Sequence, residues 1–176
     1  KPCESGGATF EMVSWVKNAD ENFTVMYSVR DEDGNETASA VRPADAAKVT
    51  VYVPDAERWN IDDPCLYTVT ATLQRRNETY DEVTVRTGVR SFSCDPEKGF
   101  CINGRWTPLR GVSRHQDRLY KGNALTREEH YEDAWMIKEL GANTIRLAHY
   151  QHSQDFYDAC DDLGFVVWAE IPLSPS

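Results

Sequence analysis

Leu109-Arg-Gly-Val-Ser-Arg-His115-Gln-Asp117-Arg118 reads as a short strand that runs straight into a cluster of His, Asp and Arg. Two later runs repeat the form. Asn143-Thr-Ile-Arg146-Leu-Ala-His149-Tyr150 ends in His and Tyr, and Gly164-Phe-Val-Val-Trp168-Ala-Glu170 ends in a carboxylate. Helical patterns separate the three. Thr126-Arg-Glu-Glu129 has the capping-box form, and Ala134, Ile137 and Leu140 follow at helical spacing until Gly141 offers a C-terminal cap. This predicts a helix over about 127–140. Ser153 can cap a second helix whose apolar face is Phe156, Ala159, Cys160 and Leu163, with Gly164 ending it. Strand, helix, strand, helix, strand over about 106–170 specifies a parallel sheet with right-handed crossovers.

Upstream the period is different. Phe10–Val16, Phe23–Val29, Lys48–Val53, Leu66–Leu73 and Tyr80–Arg86 are short runs rich in β-branched and aromatic residues. Asp31-Glu-Asp-Gly-Asn35 and Arg75-Arg-Asn-Glu78 between them read as hairpin connections. About six or seven strands in roughly 85 residues suggest an immunoglobulin-like sandwich. No Cys-Trp-Cys spacing marks it as an antibody-type domain.

Composition narrows the partners. The chain has 176 residues, 40% apolar and 11% aromatic, which is enough for a real core. A net charge of -10 argues against a nucleic-acid backbone or an anionic membrane surface as partner, since both call for clustered Lys and Arg. No apolar run approaches the roughly 20 residues that span a bilayer. Lys1 to Gly7 has no signal-peptide apolar region. Five cysteines, an odd number without zinc-ligand spacing, point to reduced thiols and lean towards a cytoplasmic setting. Cys94 and Cys101 flank a turn-like Asp95-Pro-Glu-Lys-Gly99, so a disulfide across a hairpin is the alternative for that pair.

In parallel α/β architectures the carboxyl ends of strands open onto the ligand site. His115, Asp117, Arg146, His149 and Glu170 all fall at or just after such ends. Each alone would read as a loop hydrogen-bonder; five from three successive strands read as a site. Zinc is the weaker reading, because His115 and His149 lack a ligand-like partner set. Trp168, Tyr150 and Tyr120 offer ring faces on which a sugar could stack while polar groups bond its hydroxyls. Packing of Trp168 between strand and helix is the alternative.

The run Gly99–Arg118, then Lys138–Tyr150, then Phe156–Pro172 resembles the start of the catalytic barrel in glycoside hydrolase family 2, in its β-galactosidase-like form. Arg58–Tyr67 and Thr87–Phe92 resemble the late strands of that family's immunoglobulin-like domain. The resemblance implies a multi-domain chain, β plus α/β: a β-sandwich over 1–93, followed over 94–176 by the first three strands and two helices of a (β/α)8 barrel. It also implies a parent enzyme that hydrolyses terminal β-galactosides with retention, through two glutamates about 5 Å apart. Those glutamates belong to later barrel strands, the acid/base in an Asn-Glu pair. Asn35-Glu36 and Asn77-Glu78 sit in sandwich turns, so this chain holds no catalytic residue and is expected to be inactive alone.

By the same resemblance His115, His149 and Asp117 bind the sugar, and Glu170 and Trp168, read from their positions at the third strand end, complete the substrate-binding set. Arg146 orients the nucleophilic carboxylate and keeps it ionised. No cofactor or metal ligand is expected here, a divalent cation being open to the parent enzyme, and Ile171–Ser176 has no match to the family's magnesium residues. The expected partner is a neutral carbohydrate. A β-glucuronidase or β-mannosidase of the same family is the near alternative, and a stand-alone carbohydrate-binding module the distant one. Three strands cut from eight leave open edges, so chains are expected to pair as homo-oligomers through them.

Overall fold

The computed structural model describes residues 2–3, 6–46 and 48–172. The tail of the run expected to lack magnesium ligands, from Leu173 to Ser176, lies outside them. The chain divides into two compact units, residues 1–59 with 65–91 and residues 60–64 with 92–176. No helix among the described residues is long and apolar enough to cross a membrane.

The first unit holds β1 (Ala8–Val13), β2 (Thr24–Arg30), β3 (Glu36–Pro43), β4 (Lys48–Val53), β5 (Tyr67–Arg75) and β6 (Glu78–Thr87). β3-β2-β5-β6 form a four-stranded sheet, and β1-β4 a two-stranded one. All the pairings are antiparallel. The period of two that announced the strands sends Val25, Tyr27 and Val29 of β2 inward, where they are at most 2% exposed. Arg76 and Asn77 both take positive φ in the two-residue loop between β5 and β6, the twist that a tight hairpin requires. β3 is absent from the strands read off the sequence. Its Glu-Thr-Ala-Ser-Ala-Val-Arg-Pro is poor in β-branched and aromatic residues, and pairing with β2 makes it a strand.

In the second unit β7 (Phe92–Asp95), β8 (Gly99–Ile102) and β9 (Arg105–Trp106) form an antiparallel meander. Its register pairs Cys94 with Phe100 and Ser93 with Cys101, so the two cysteines point to opposite faces and form no disulfide. After the meander come β10 (Gly111–Arg114), α1 (Arg127–Glu139), β11 (Thr144–Leu147), α2 (Gln154–Leu163) and β12 (Val166–Ala169). β10, β11 and β12 lie side by side in parallel. Thr126 and Glu129 close the capping box of α1, and Ser153 caps α2 by accepting from the Asp155 N–H.

Ile145, Leu147, Phe156 and Ala159 are fully buried and form the layer between sheet and helices. Ile145, Leu147 and Phe156 each contribute roughly 1.5–3 kcal/mol by leaving water. Gly164 ends α2 at φ 74°, and a Cβ there would lie 2.5 Å from the Ile61 carbonyl oxygen. Only glycine satisfies both conditions. Leu140 departs from expectation. It is 77% exposed, because the face that α1 turns inward runs through His130, Ala134 and Ile137 and ends a residue earlier.

Candidate functional site

The pleat of three short strands decides which side chains reach the site. Val112, Ile145 and Val167 share one register row, and Arg114, Leu147 and Ala169 another; Ile145, Leu147 and Val167 pack against the helical layer. Ser113, Arg146 and Trp168, one residue out of phase, share the opposite face. Trp168 is 69% exposed on that face and is not wedged between strand and helix. His115, His149 and Glu170 come immediately after the strand ends.

Four of these groups form a closed constellation. Arg146 donates from Nε to Glu170 Oε1 at 2.8 Å and from Nη1 to Ser113 Oγ at 3.4 Å. Its Nη2 lies 3.2 Å from His149 Nδ1, and the same Nδ1 lies 3.0 Å from Glu170 Oε2. Partial burial opposes charge on Glu170, but the hydrogen bonds from Arg146 and His149 outweigh it and hold the carboxyl below its usual range. The His115 ring meets that of His149 edge-on at 5.3 Å and that of Tyr150 at 6.0 Å. The peptide between Ala148 and His149 is cis.

The other expected residues stand apart from this constellation. Asp117 is exposed and makes no hydrogen bond or ion pair among the described residues. Tyr120 is 97% exposed at the tip of a turn closed by hydrogen bonds between Arg118 and Gly122. Glu170 differs in kind from an open sugar contact, because both its carboxylate oxygens already face protein donors.

Sequence reading missed what holds the rim in place. Arg114 is 6% exposed on the helix side of β10. Its guanidinium donates to Asp133 through Nε and Nη2, to His152 Nδ1 at 3.2 Å and to His130 Nδ1 at 3.1 Å, and stacks 3.8 Å above the Phe156 ring. His152 Nε2–H in turn donates to the Ala148 carbonyl at 3.1 Å, which fixes that ring as the neutral Nε2–H tautomer. Burial, helped by the positive charge of Arg114, depresses the pKa of both histidines.

From the same helix Asp133 and Glu132 accept from Arg118 at 2.6 Å and 2.8 Å, the Glu129 carbonyl accepts from it at 3.0 Å, and the Glu129 carboxylate pairs with Lys121. The Tyr150 hydroxyl accepts from the Gln116 N–H at 3.2 Å, and Gln116 Oε1 accepts from the Ser153 N–H at 2.7 Å. The loop bearing His115 and Asp117 is thus tied to α1 and to the loop after β11. Strand parity was the available signal: in β10 the position two after Val112 belongs to the helix-facing layer, so Arg114 had to be a buried charge with partners.

Comparison with known proteins identifies the family. Residues 96–175 match the family model "Glycosyl hydrolases family 2, TIM barrel domain", and residues 4–90 match "Glycosyl hydrolases family 2". A crystal structure of an FMN-binding β-glucuronidase from Facaelibacterium prausnitzii L2-6 is 68% identical, with a TM-score of 0.96, over 97% of this chain and 27% of that one. A β-glucuronidase of Bacteroides fragilis is 47% identical over 116 residues, covering 65% of this chain and 17% of that protein. A β-galactosidase of Bacteroides ovatus is 36% identical over 160 residues, covering 87% of this chain and 19% of that protein. The chain therefore spans about a fifth of the length of the curated relatives it matches.

Proposed function

The chain belongs to glycosyl hydrolase family 2, and on that premise we propose that it forms the sandwich and first barrel strands of a retaining β-glycosidase acting on terminal β-glucuronides. The observation that carries the glucuronide is the 68% identity to a β-glucuronidase along 97% of the chain. The β-galactoside expected from the sequence remains the second reading, favoured by the 36% identical relative of that name.

In this reading the rim binds and orients. His115, His149 and Asp117 hydrogen-bond sugar hydroxyls, and the exposed Trp168 ring supplies a stacking face. Arg146 sets the position of a nucleophilic carboxylate and keeps it ionised, since an adjacent guanidinium lowers a carboxyl pKa. The acid/base and nucleophile come from later barrel strands of the longer polypeptide. Glu170 is not placed to serve instead, because both its oxygens are engaged by Arg146 and His149.

Neither α1 nor α2 offers a favourable helix N-terminus to a flavin phosphate such as that of the F. prausnitzii enzyme. Both helix N-termini carry acids in the first turn, Glu128 and Glu129 on α1 and Asp155 on α2, the wrong charge for a flavin phosphate. Hydrolysis moves no electrons, and no step in this reading runs through a flavin.

Expression of the full reading frame that contains this chain, with assay on nitrophenyl β-glucuronide and β-galactoside, tests the proposal. We expect at least tenfold higher kcat/KM on the glucuronide. Preference for the galactoside would replace the first reading with the second, and hydrolysis of neither would overturn both.

A further inference from the structure

His149 Nδ1 faces two groups with which it cannot bond at once. To accept from Arg146 Nη2 at 3.2 Å it must be bare, and to donate to Glu170 Oε2 at 3.0 Å it must carry a proton. A bare Nδ1 would leave its lone pair against a carboxylate lone pair at the shorter of the two distances. A protonated Nδ1 makes a charge-assisted bond instead, and Arg146 loses little, because its Nε and Nη1 keep Glu170 Oε1 and Ser113 Oγ. The groups against the ring are Arg146 from β11, Glu170 from the end of β12 and His115 from the end of β10. Of these only Glu170 can accept a proton-bearing Nδ1.

We propose that Glu170 is a positioning residue that holds His149 in the Nδ1–H tautomer and so presents its bare Nε2 outward as an acceptor for a sugar hydroxyl. Nε2 makes no hydrogen bond among the described residues, and the side chain is 64% exposed. Glu170 thus acts through His149 and Arg146, where the sequence reading placed it against the substrate. Only the identity of the hydroxyl rests on the glycosidase reading.

Selective ¹⁵N labelling of the four histidines, with imidazole NMR on this chain above pH 8, reports each tautomer directly. His152, held as Nε2–H by Ala148, and the buried His130 serve as internal markers of an intact fold. Expected are Nδ1–H for His149 in the parent chain and in E170Q, whose amide oxygen still accepts. In E170A the ring should convert to Nε2–H, with Nδ1 now accepting from Arg146. An Nε2–H ring in the parent overturns the proposal. So does an unchanged His149 in E170A while the His130 and His152 signals persist; if those signals vanish, the parent and E170Q spectra decide.

In the longer polypeptide E170A should lower kcat/KM on the order of 100-fold, the penalty typical of a misplaced binding group, and E170Q should restore most of it. If the longer polypeptide hydrolyses no glycoside, the functional reading fails while the tautomer assignment is judged by the spectra alone.

Discussion

Replacing Asp133 by Ala removes the only carboxylate among the described residues that reaches the buried Arg114. The Arg114 side chain is 5% exposed and that of Asp133 17%, so the guanidinium would stay inside without its counter-charge. Breaking one partner from a buried pair costs about 3–5 kcal/mol. Arg114 retains two histidine acceptors and the Phe156 ring, which places the variant near the lower end, at about 3 kcal/mol. Loss of the half-open Arg118 pair adds no more than about 1 kcal/mol.

Amide hydrogen exchange of Ile145 to Leu147 in β11 reads this directly, and about 3 kcal/mol corresponds to roughly 150-fold less protection. The amides of β2 and β5, in the other unit, provide the control and should not change. Replacing both partners, as in R114M with D133L, removes the charge together with its counter-ion. That double variant should lie within about 1 kcal/mol of the parent. Protection reduced less than fivefold in D133A, or a double variant as unstable as the single one, would refute the claim that a buried charge pair anchors the rim.

Acid should loosen the second unit before carboxylates titrate. His130 and His152 have folded pKa values below the unfolded value of about 6.5, so the unfolded chain takes up protons that the folded one resists. Stability should be full above about pH 6.5 and fall below it, with a slope of at most about 2.7 kcal/mol per pH unit for two such groups; urea midpoints from pH 8 to 5 check this, and a flat profile contradicts it. Gly164→Ala should destabilise the same unit by on the order of 2 kcal/mol, because φ and the Ile61 carbonyl both reject a Cβ; an unchanged urea midpoint would remove that argument. The open edges of β10 and β12 should make this chain self-associate, with concentration-dependent sedimentation; a single monomeric species across concentrations would count against edge pairing.

The elements that announced themselves did so through local chemistry. Thr126 with Glu129, Ser153 and Gly164 are complete signals within one turn of chain, and helices begin or end at each. The valines and aromatics of β2 and β4 likewise show their alternation without help from neighbours. β3 could not be read that way, because its strand character comes from β2 across the hairpin. Residues 60–64 belong with the second unit although sandwich strands flank them in sequence, which no linear boundary can express.

At the site, strand ends singled out Arg146, His149 and Glu170, and these three side chains touch one another in the structure. Their mutual bonding was not legible, since it depends on the register that sets Arg146 beside Trp168. Asp133 and His130 were passed over because polar residues on a helix with a thin apolar face resemble solvated surface, while Arg114 at the end of β10 and His152 in the loop before α2 match no motif of their own. Only the packed structure shows that they fill the layer between sheet and helix.

Under the proposed function these residues form the sugar-holding rim of a β-glucuronide hydrolase whose reacting carboxylates come from other strands of the longer polypeptide. Nitrophenol release from nitrophenyl β-glucuronide, measured side by side for the full reading frame and for this chain, tests it most directly. The account predicts turnover by the full polypeptide, at least tenfold above its rate on the galactoside, and none by the chain alone. Turnover by the chain alone, or none by the full polypeptide, would contradict it.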